Sequence, residues 1–172
     1  MLGTTTRRLL GAVALLALLA GCGGAPAGET ATAFVLQQPG FSVGFPEEPT
    51  AATQDIPDIP GLTAVTWTVD SGAYAQSLAL VDYPDDVQLA DGATVLEGAR
   101  DGAVANIPGG TLTESSETTV DGRPAIDLVA TVDGGTYRSR IVLDDRRLYQ
   151  LITAGSDDRR AEHEAFAGSL RL

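Results

Sequence analysis

Hydrophobic residues are distributed unevenly along this chain, and the pattern of residues 1–33 differs from that of the rest. A polar start that contains Arg7 and Arg8 leads into a continuous apolar run over residues 9–20. That run is too short to cross a bilayer comfortably, since a spanning helix needs about 20 apolar residues. An uncleaved membrane helix would also leave the small residues that follow the run unexplained. The layout is typical of an export signal, so we expect residues 1–21 to be removed.

Alternating apolar and polar residues predict β-strands in the next part of the chain. Residues 41–46 alternate apolar and small side chains and end in a proline, as a first or edge strand does. The prolines at positions 49, 57 and 60 predict a loop, because proline cannot donate to a sheet ladder. Residues 62–69 and 74–83 alternate again on either side of a Ser71-Gly72 turn, which predicts a β-hairpin.

Between residues 91 and 107 the hydrophobic period changes to that of a helix. Leu96, Val104 and Ile107 recur at helical spacing, Asp91 is a suitable N-cap, and the Pro108-Gly109-Gly110 stretch ends the run. Internal glycines weaken this helix by up to about 1 kcal/mol each relative to alanine. We therefore expect it to form only where it packs on a sheet.

The last third of the chain returns to strands and ends in a second helix. Four predicted strands, at residues 111–120, 124–132, 137–143 and 148–154, are joined by Asp-Gly or Asp-Asp turns, which indicates an antiparallel meander. Asp157 is the predicted cap of the final helix, whose packed face would carry Ala161, Ala165, Phe166 and Ser169. The pattern predicts an α+β fold, with one domain over residues 34–172.

Composition restricts the partners of this domain. All 11 basic residues are arginines and two of them lie in the leader, so nine arginines face 23 carboxylates, a formal charge of −14 after removal of the leader. Such a surface repels phosphate backbones and anionic lipid headgroups. We expect no nucleic-acid binding, and any attachment to a membrane must come from lipid.

The Leu19-Ala20-Gly21-Cys22 stretch at the end of the apolar run resembles a bacterial lipobox and contains the only cysteine. The resemblance implies lipidation of the Cys22 thiol and cleavage before Cys22. Two or more acyl chains, such as palmitate, make attachment stable, since each buried methylene contributes about 0.8 kcal/mol. Residues 22–33 are small and polar and are expected to form a flexible tether with a reach of about 18 Å. The expected location is the extracytoplasmic face of the cell membrane.

Several motifs of the predicted domain, in their order along the chain, resemble those of one family. They are Phe41-x-Val43-x-Phe45-Pro46-x-x-Pro49, Asp121-Gly122-Arg123-Pro124, Arg138-x-Arg140, Arg147-Leu148-Tyr149 and Phe166-x-x-Ser169-x-Arg171-Leu172. They resemble exported bacterial lipoproteins with a PsbP-like or Mog-one-like domain, including actinobacterial lipoproteins of the LpqN type. The resemblance implies a central antiparallel β-sheet flanked by helices, an α/β/α sandwich. It also implies docking to macromolecules or small ligands rather than catalysis.

Residues that could perform chemistry are few. His163 is the only histidine and is expected to be a solvated surface residue between two glutamates. Asp82, Asp85 and Asp86 could offer oxygens to calcium, but they lack the spacing of a known calcium loop and are expected to be a solvated turn. The same interpretation applies to the aspartate pairs at 144–145 and 157–158. We expect no catalytic residues, no metal and no cofactor.

Arg138, Arg140 and Arg147 form the most interesting polar set. On neighbouring strands they could form a cationic patch for a ligand or partner, because a guanidinium pair can bind a carboxylate or phosphate. The alternative is cross-strand pairing with Asp127 or Glu114. The aromatic residues Trp67, Tyr74, Tyr83, Tyr137 and Tyr149 could line a ligand groove or simply pack in the core.

The expected function is that of a membrane-anchored, extracytoplasmic, non-catalytic binding or scaffold module of the cell envelope. The alternative is a carrier or sensor of a small apolar or lipid-like ligand held between sheet and helix. The expected partners are the membrane, reached through the lipid anchor, and an envelope protein or small ligand.

Overall fold

Strands dominate the folded chain, which a computed structural model describes over residues 34–56, 61–132 and 134–172. The predicted leader, Cys22 and the predicted tether lie outside the described residues. In chain order the elements are β1 (Phe34–Gln38), β2 (Phe41–Phe45), β3 (Thr50–Asp55), β4 (Thr63–Asp70), β5 (Tyr74–Asp82), α1 (Gly92–Ala105), β6 (Thr111–Val120), β7 (Arg123–Val132), β8 (Gly135–Asp144), β9 (Arg147–Gly155) and α2 (Arg160–Ala167).

Seven of these strands form one antiparallel sheet in the order β3-β4-β5-β9-β8-β7-β6. The predicted β4–β5 hairpin and the predicted β6–β9 meander are both confirmed. The two units join because β9 pairs with β5 on one side and with β8 on the other. Strands β6 and β3 are therefore the two edges of the sheet.

One face of the sheet is covered by α2 and by the separate β1–β2 hairpin. The hairpin is joined to the C-terminal segment by a backbone bridge between Ser42 and Arg171, and the Gly44 N–H donates to Ser169 Oγ at 2.9 Å. The core of this layer includes Phe41, Val43, Phe45, Trp67, Leu78, Tyr149, Leu151, Phe166 and Leu170. Burial of these large side chains fixes α2 over β8 and β9.

The opposite face carries α1, which packs over β7 and β8. Its buried Leu96 joins a second core cluster with Ile126, Leu128, Ile141, Leu143 and Leu148. The N-cap prediction is confirmed: Asp91 accepts a hydrogen bond from the Thr94 N–H at 3.1 Å. The Asp91 side chain therefore satisfies a free backbone N–H group in the first turn of α1. The helix also packs on the sheet, as predicted.

Three local predictions are wrong. A strand, β3, lies in the predicted loop, in the proline-free interval between Pro49 and residue 57; its side chains are all exposed, so it has no alternating pattern. Arg159, not Asp157, is the N-cap of α2, and Asp157 instead accepts from Arg159 Nη2 at 3.2 Å. The packed face of α2 carries His163, Phe166 and Ala167, while Ala161 is exposed.

The fold is thus mostly antiparallel sheet with two helices. The expected α/β/α sandwich is confirmed only in part, because a β-hairpin makes up much of the layer on the α2 side. On the α1 side, the helix covers only the β7–β8 part of the sheet, and small side chains such as Ala75, Ser77 and Ala79 occupy β5. No described helix is long and apolar enough to span a bilayer.

Candidate functional site

Arg140 and Asp127 form a two-point ion pair on the α2 side of the sheet. The two residues are directly opposite each other on β8 and β7, and Arg140 donates from Nε and Nη2 to the two carboxylate oxygens of Asp127 at 2.7 and 2.8 Å. This hydrogen bonding raises the pKa of Arg140. The pairing fixes the plane of the guanidinium group and leaves its Nη1 amino group for another acceptor.

Arg138 lies two residues earlier on β8, so it shares the same face. It is 7 % exposed, and its Nη2 lies 2.6 Å from Oδ1 of Asp158, whose side chain is 55 % exposed. The hydrogen bond from Arg138 lowers the pKa of Asp158. The pair therefore connects a buried cation to a carboxylate at the surface, just before α2 begins.

His163 of α2 lies against β9 on the same side of the sheet, and the expectation that it is solvated is wrong. It is 6 % exposed, and its Nδ1 lies 3.2 Å from the Thr153 hydroxyl. Burial lowers its pKa from 6.5 to about 4; Asp127 opposes this effect, while Arg140 and Arg138 add to it. The imidazole is therefore neutral at pH 7 and serves as a hydrogen-bonding part of the core.

A signal for this burial exists in the sequence. His163 precedes Phe166, Ala167 and Leu170 by three, four and seven residues, which is the spacing of one helix face. The buried Gln76 and Thr153 carry no comparable signal, because their burial depends on where α2 crosses the sheet. Gln76 donates from Nε2 to the Glu162 carbonyl at 3.2 Å, which attaches α2 to β5.

These groups border a small polar cavity of about 140 Å³ between α2 and strands β6 to β8, which we call the α2 pocket. Since a water molecule in the liquid occupies about 30 Å³, the pocket can hold a group of a few heavy atoms. The polar residues at its wall are Glu114, Ser115, Ser116, Asp127, Arg138, Ser139, Arg140, Arg160, His163 and Glu164. Three guanidinium groups there can bind a carboxylate or phosphate group.

Arg147 lies away from the α2 pocket. It opens β9 and pairs with Asp82 at 3.0 Å, whereas Arg140 lies opposite Leu151, four residues further along β9. Four residues of strand span about 13 Å. The structure therefore brings together Arg138 and Arg140 but places Arg147 in a separate cluster.

That second cluster contains aspartates from two of the predicted acidic turns. Asp82, Asp85, Asp144 and Asp145 border an open space that also contains Arg146 and Arg147. Arg146 donates to the backbone carbonyls of Tyr83, Pro84 and Val87. In the described part of the chain, no three His, Cys, Asp or Glu side chains are placed so that they could hold a metal ion together.

A larger and more open groove, which we call the α1 groove, runs between α1 and β6. It has a volume of about 470 Å³. Its wall combines Gly92, Ala93, Leu96, Pro124, Ala125 and Ile126 with Glu97, Arg100, Ser115, Ser116, Glu117, Thr118 and Thr119. The aromatic residues proposed for a groove lie elsewhere: Trp67 and Tyr149 are buried in the core, and burial raises the pKa of Tyr137 to about 12.

Comparison with known proteins shows a shared fold. No protein-family model matches the chain, and no curated protein matches it. The solution structure of the cyanobacterial PsbP, CyanoP, from Synechocystis sp. PCC 6803 is similar, with a TM-score of 0.51 and 16% sequence identity. The match covers 90% of this chain and 98% of CyanoP. The fold is PsbP-like, and at this identity the likeness extends to the fold alone.

Proposed function

We propose that this protein is a lipid-anchored, extracytoplasmic binding module of the cell envelope, and that the α2 pocket is its binding site. Within the PsbP-like fold, we place it with exported actinobacterial lipoproteins of the LpqN type. The attachment is the lipidated Cys22, and the short tether of residues 22–33 holds the domain near the membrane. The ligand is an anionic group, a carboxylate or phosphate, of an envelope component.

One observation carries the proposal for binding. Arg138 and Arg140 line the same cavity, and each guanidinium group is held by a carboxylate, Asp158 or Asp127. Guanidinium groups that are already oriented lose little side-chain entropy when an anion arrives. Arg160 adds a further positive charge at the wall. The wall carries three arginines and three carboxylates, Glu114, Asp127 and Glu164, so its charges balance in an otherwise strongly acidic protein.

We propose a non-catalytic function because the side chains that could act in catalysis already contact other residues. His163 borders the α2 pocket but is only 6 % exposed, and its Nδ1 lies at the buried Thr153 hydroxyl, so its ring is held in the core. Asp127 is used in orienting Arg140. What remains for a ligand is hydrogen bonding and charge, which give affinity without bond breaking.

Cross-linking in membranes tests this proposal. The full-length chain is expressed in a bacterium that processes lipoproteins, with a photoreactive residue in place of Glu164 at the rim of the pocket. Glu48, exposed on another part of the surface, is the matched control position. We expect a discrete adduct from position 164 and none from position 48. The adduct should disappear when Arg138→Gln and Arg140→Gln are combined.

Two results would contradict the proposal. Equal adducts from both positions would show that the α2 pocket has no special role. An adduct from position 164 that persists in the double arginine variant would show that the guanidinium groups do not hold the ligand. Inorganic phosphate and acetate, added as competitors, identify the anionic group by which of them suppresses the adduct.

The alternative, a carrier of a small apolar or lipid-like ligand, depends on the α1 groove. Its volume of about 470 Å³ lies within the range of small-molecule sites. Its wall, however, carries Glu97, Arg100 and Glu117 besides several hydroxyl groups. Mass spectrometry of lipids extracted from the purified protein tests this alternative, which predicts one lipid species in a stoichiometric amount.

A further inference from the structure

Strand β6 offers an open backbone edge. It pairs with β7 and with no other strand of the described residues, and residues 111–117 are all exposed. Alternate residues of an edge strand direct their N–H and C=O groups away from the sheet. Another extended chain can therefore hydrogen-bond to β6 and continue the sheet.

Only part of this edge is regular. The pairing with β7 shifts register between Leu112 and Glu114, and the intervening Thr113 donates from its hydroxyl to the Val129 carbonyl at 3.1 Å. A bulge of this kind interrupts the ladder and discourages pairing at that point. The stretch that remains regular, residues 114–120, is long enough for a segment of about seven residues.

The α1 groove lies beside this same stretch. Residues 106–110 join the end of α1 to β6, and the groove wall takes residues 92–100 from α1 and residues 115–119 from β6. The floor of the groove is apolar, with Leu96 5 % exposed and Ile126 4 % exposed. A strand added to β6 would direct every second side chain into the groove. Edge β3 lies at the other end of the sheet, six strands away from β6.

The charge of this surface determines which kind of segment it favours. Glu97 on α1 and Glu117 on β6 both border the groove. The one cation at the groove wall, Arg100, is neutralised by Asp101, with Nη2 to Oδ1 at 2.8 Å. The local field is negative, so it favours arginine or lysine side chains on the incoming strand.

The same charges disfavour two other occupants. A second copy of β6 carries Glu114 and Glu117 and no basic residue, so it offers no positive charge to the groove. The tether of residues 22–33 contains Glu29 and no basic residue. It therefore offers no charge complementarity to the groove.

We propose that β6 and the α1 groove form a docking site for an extended, basic segment of a partner protein, which adds as a strand to the sheet edge. Backbone hydrogen bonds to residues 114–120 supply affinity. Alternate side chains of the partner, apolar toward Leu96 and Ile126 and basic toward Glu97 and Glu117, supply specificity. The α1 groove is on the opposite side of the sheet from the α2 pocket, although Ser115 and Ser116 of β6 border both.

The test uses the full chain in neutral detergent and a capped ten-residue probe peptide that alternates arginine and valine. Binding is measured by fluorescence anisotropy, and the site is located by amide hydrogen exchange. We expect slower exchange in β6. Glu117→Arg should weaken binding at least about tenfold, since it replaces attraction by repulsion in the groove. Asp55→Arg on β3 makes the same charge change at the other, fully exposed edge and should change affinity less than about twofold.

A second probe separates strand addition from general charge attraction. The same peptide with alternate backbone amides methylated keeps its charge but cannot form the ladder, so it should bind at least about tenfold more weakly. This comparison uses the unaltered protein and stands even if Glu117→Arg fails to fold. Equal binding of the two peptides, equal weakening by both variants, or protection outside β6 would overturn the proposal. Dimerisation of the protein through β6 would also overturn it.

Discussion

His163 links the packing of α2 to pH. Its pKa is about 4 in the folded protein, against 6.5 for an ordinary histidine, because burial disfavours the charged form. The unfolded chain therefore takes up a proton below about pH 6.5 that the folded protein takes up only near pH 4. The contribution of His163 to stability is complete above pH 6.5 and is lost as the pH falls toward 4, by about 3 kcal/mol.

The measurement is chemical denaturation of the protein and of a His163→Gln variant between pH 4 and pH 8. Glutamine can still hydrogen-bond to Thr153 but does not titrate in this range. We expect the difference in the free energy of unfolding between the two proteins to change by about 3 kcal/mol across the range. Parallel profiles would mean that His163 is not buried as described.

A comparison of two ion pairs tests the geometry of the α2 pocket. Asp127→Asn removes the two-point acceptor of the half-buried Arg140 and should lower the free energy of unfolding by about 1–2 kcal/mol. Asp101→Asn removes the partner of Arg100 at an exposed carboxylate and should lower it by about 0.5 kcal/mol or less. Thermal denaturation measures both, and equal effects would contradict the assigned difference in burial.

At the level of elements, replacing either of two glycines by alanine is expected to have opposite effects on stability. Gly98 lies exposed within α1, and an added Cβ would meet nothing within 4 Å. Gly98→Ala should therefore stabilise the protein by up to about 1 kcal/mol, since alanine is the better helix former. At Gly135, where β8 begins, an added Cβ would collide with the Gly155 carbonyl of β9, so Gly135→Ala should destabilise the protein.

Urea denaturation of the two variants measures the opposite shifts in midpoint that this account predicts. The matched change from glycine to alanine keeps the effect on the unfolded chain nearly the same in both proteins. A destabilising Gly98→Ala would mean that α1 is not a regular helix at that position. A neutral Gly135→Ala would mean that β8 and β9 are further apart there than the register indicates.

Elements with a strong local period could be predicted from the sequence, and elements without one could not. The four strands of the meander and helix α1 each have an apolar period, a turn signal or a cap, and all are confirmed. Strand β3 has only exposed residues, so no alternation marks it. The partner of Arg138 was missed for a different reason: Asp158 follows β9 in the chain, and its approach to β8 depends on the path into α2.

The position of the arginines shows the same division between local and long-range information. Alternation on β8 correctly places Arg138 and Arg140 on one face, and cross-strand pairing with Asp127, which was the alternative to a ligand patch, is seen for Arg140. The separation of Arg147 depends on how β9 is aligned against β8. That alignment is set by the turn and by the packing of both faces, which single-residue patterns do not contain.

For the whole molecule, we propose an anchor at Cys22 and two binding surfaces, the α2 pocket and the β6 edge with the α1 groove, which meet at Ser115 and Ser116. The strongly acidic chain, with a formal charge of −12 including the leader, keeps the domain away from anionic headgroups. A Cys22→Ser variant, which lacks the thiol that would carry the lipid, should therefore leave the membrane fraction when cells are fractionated. Retention of this variant in washed membranes would contradict attachment by lipid alone.

The most direct test of this account is the intact mass of the protein extracted from membranes, with fragmentation of its N-terminus. We predict a chain that begins at Cys22 and carries a diacylglyceryl group on the Cys22 sulfur. A chain that begins at Met1, or one with an unmodified Cys22, would contradict the proposal that this protein is a lipid-anchored module of the cell envelope.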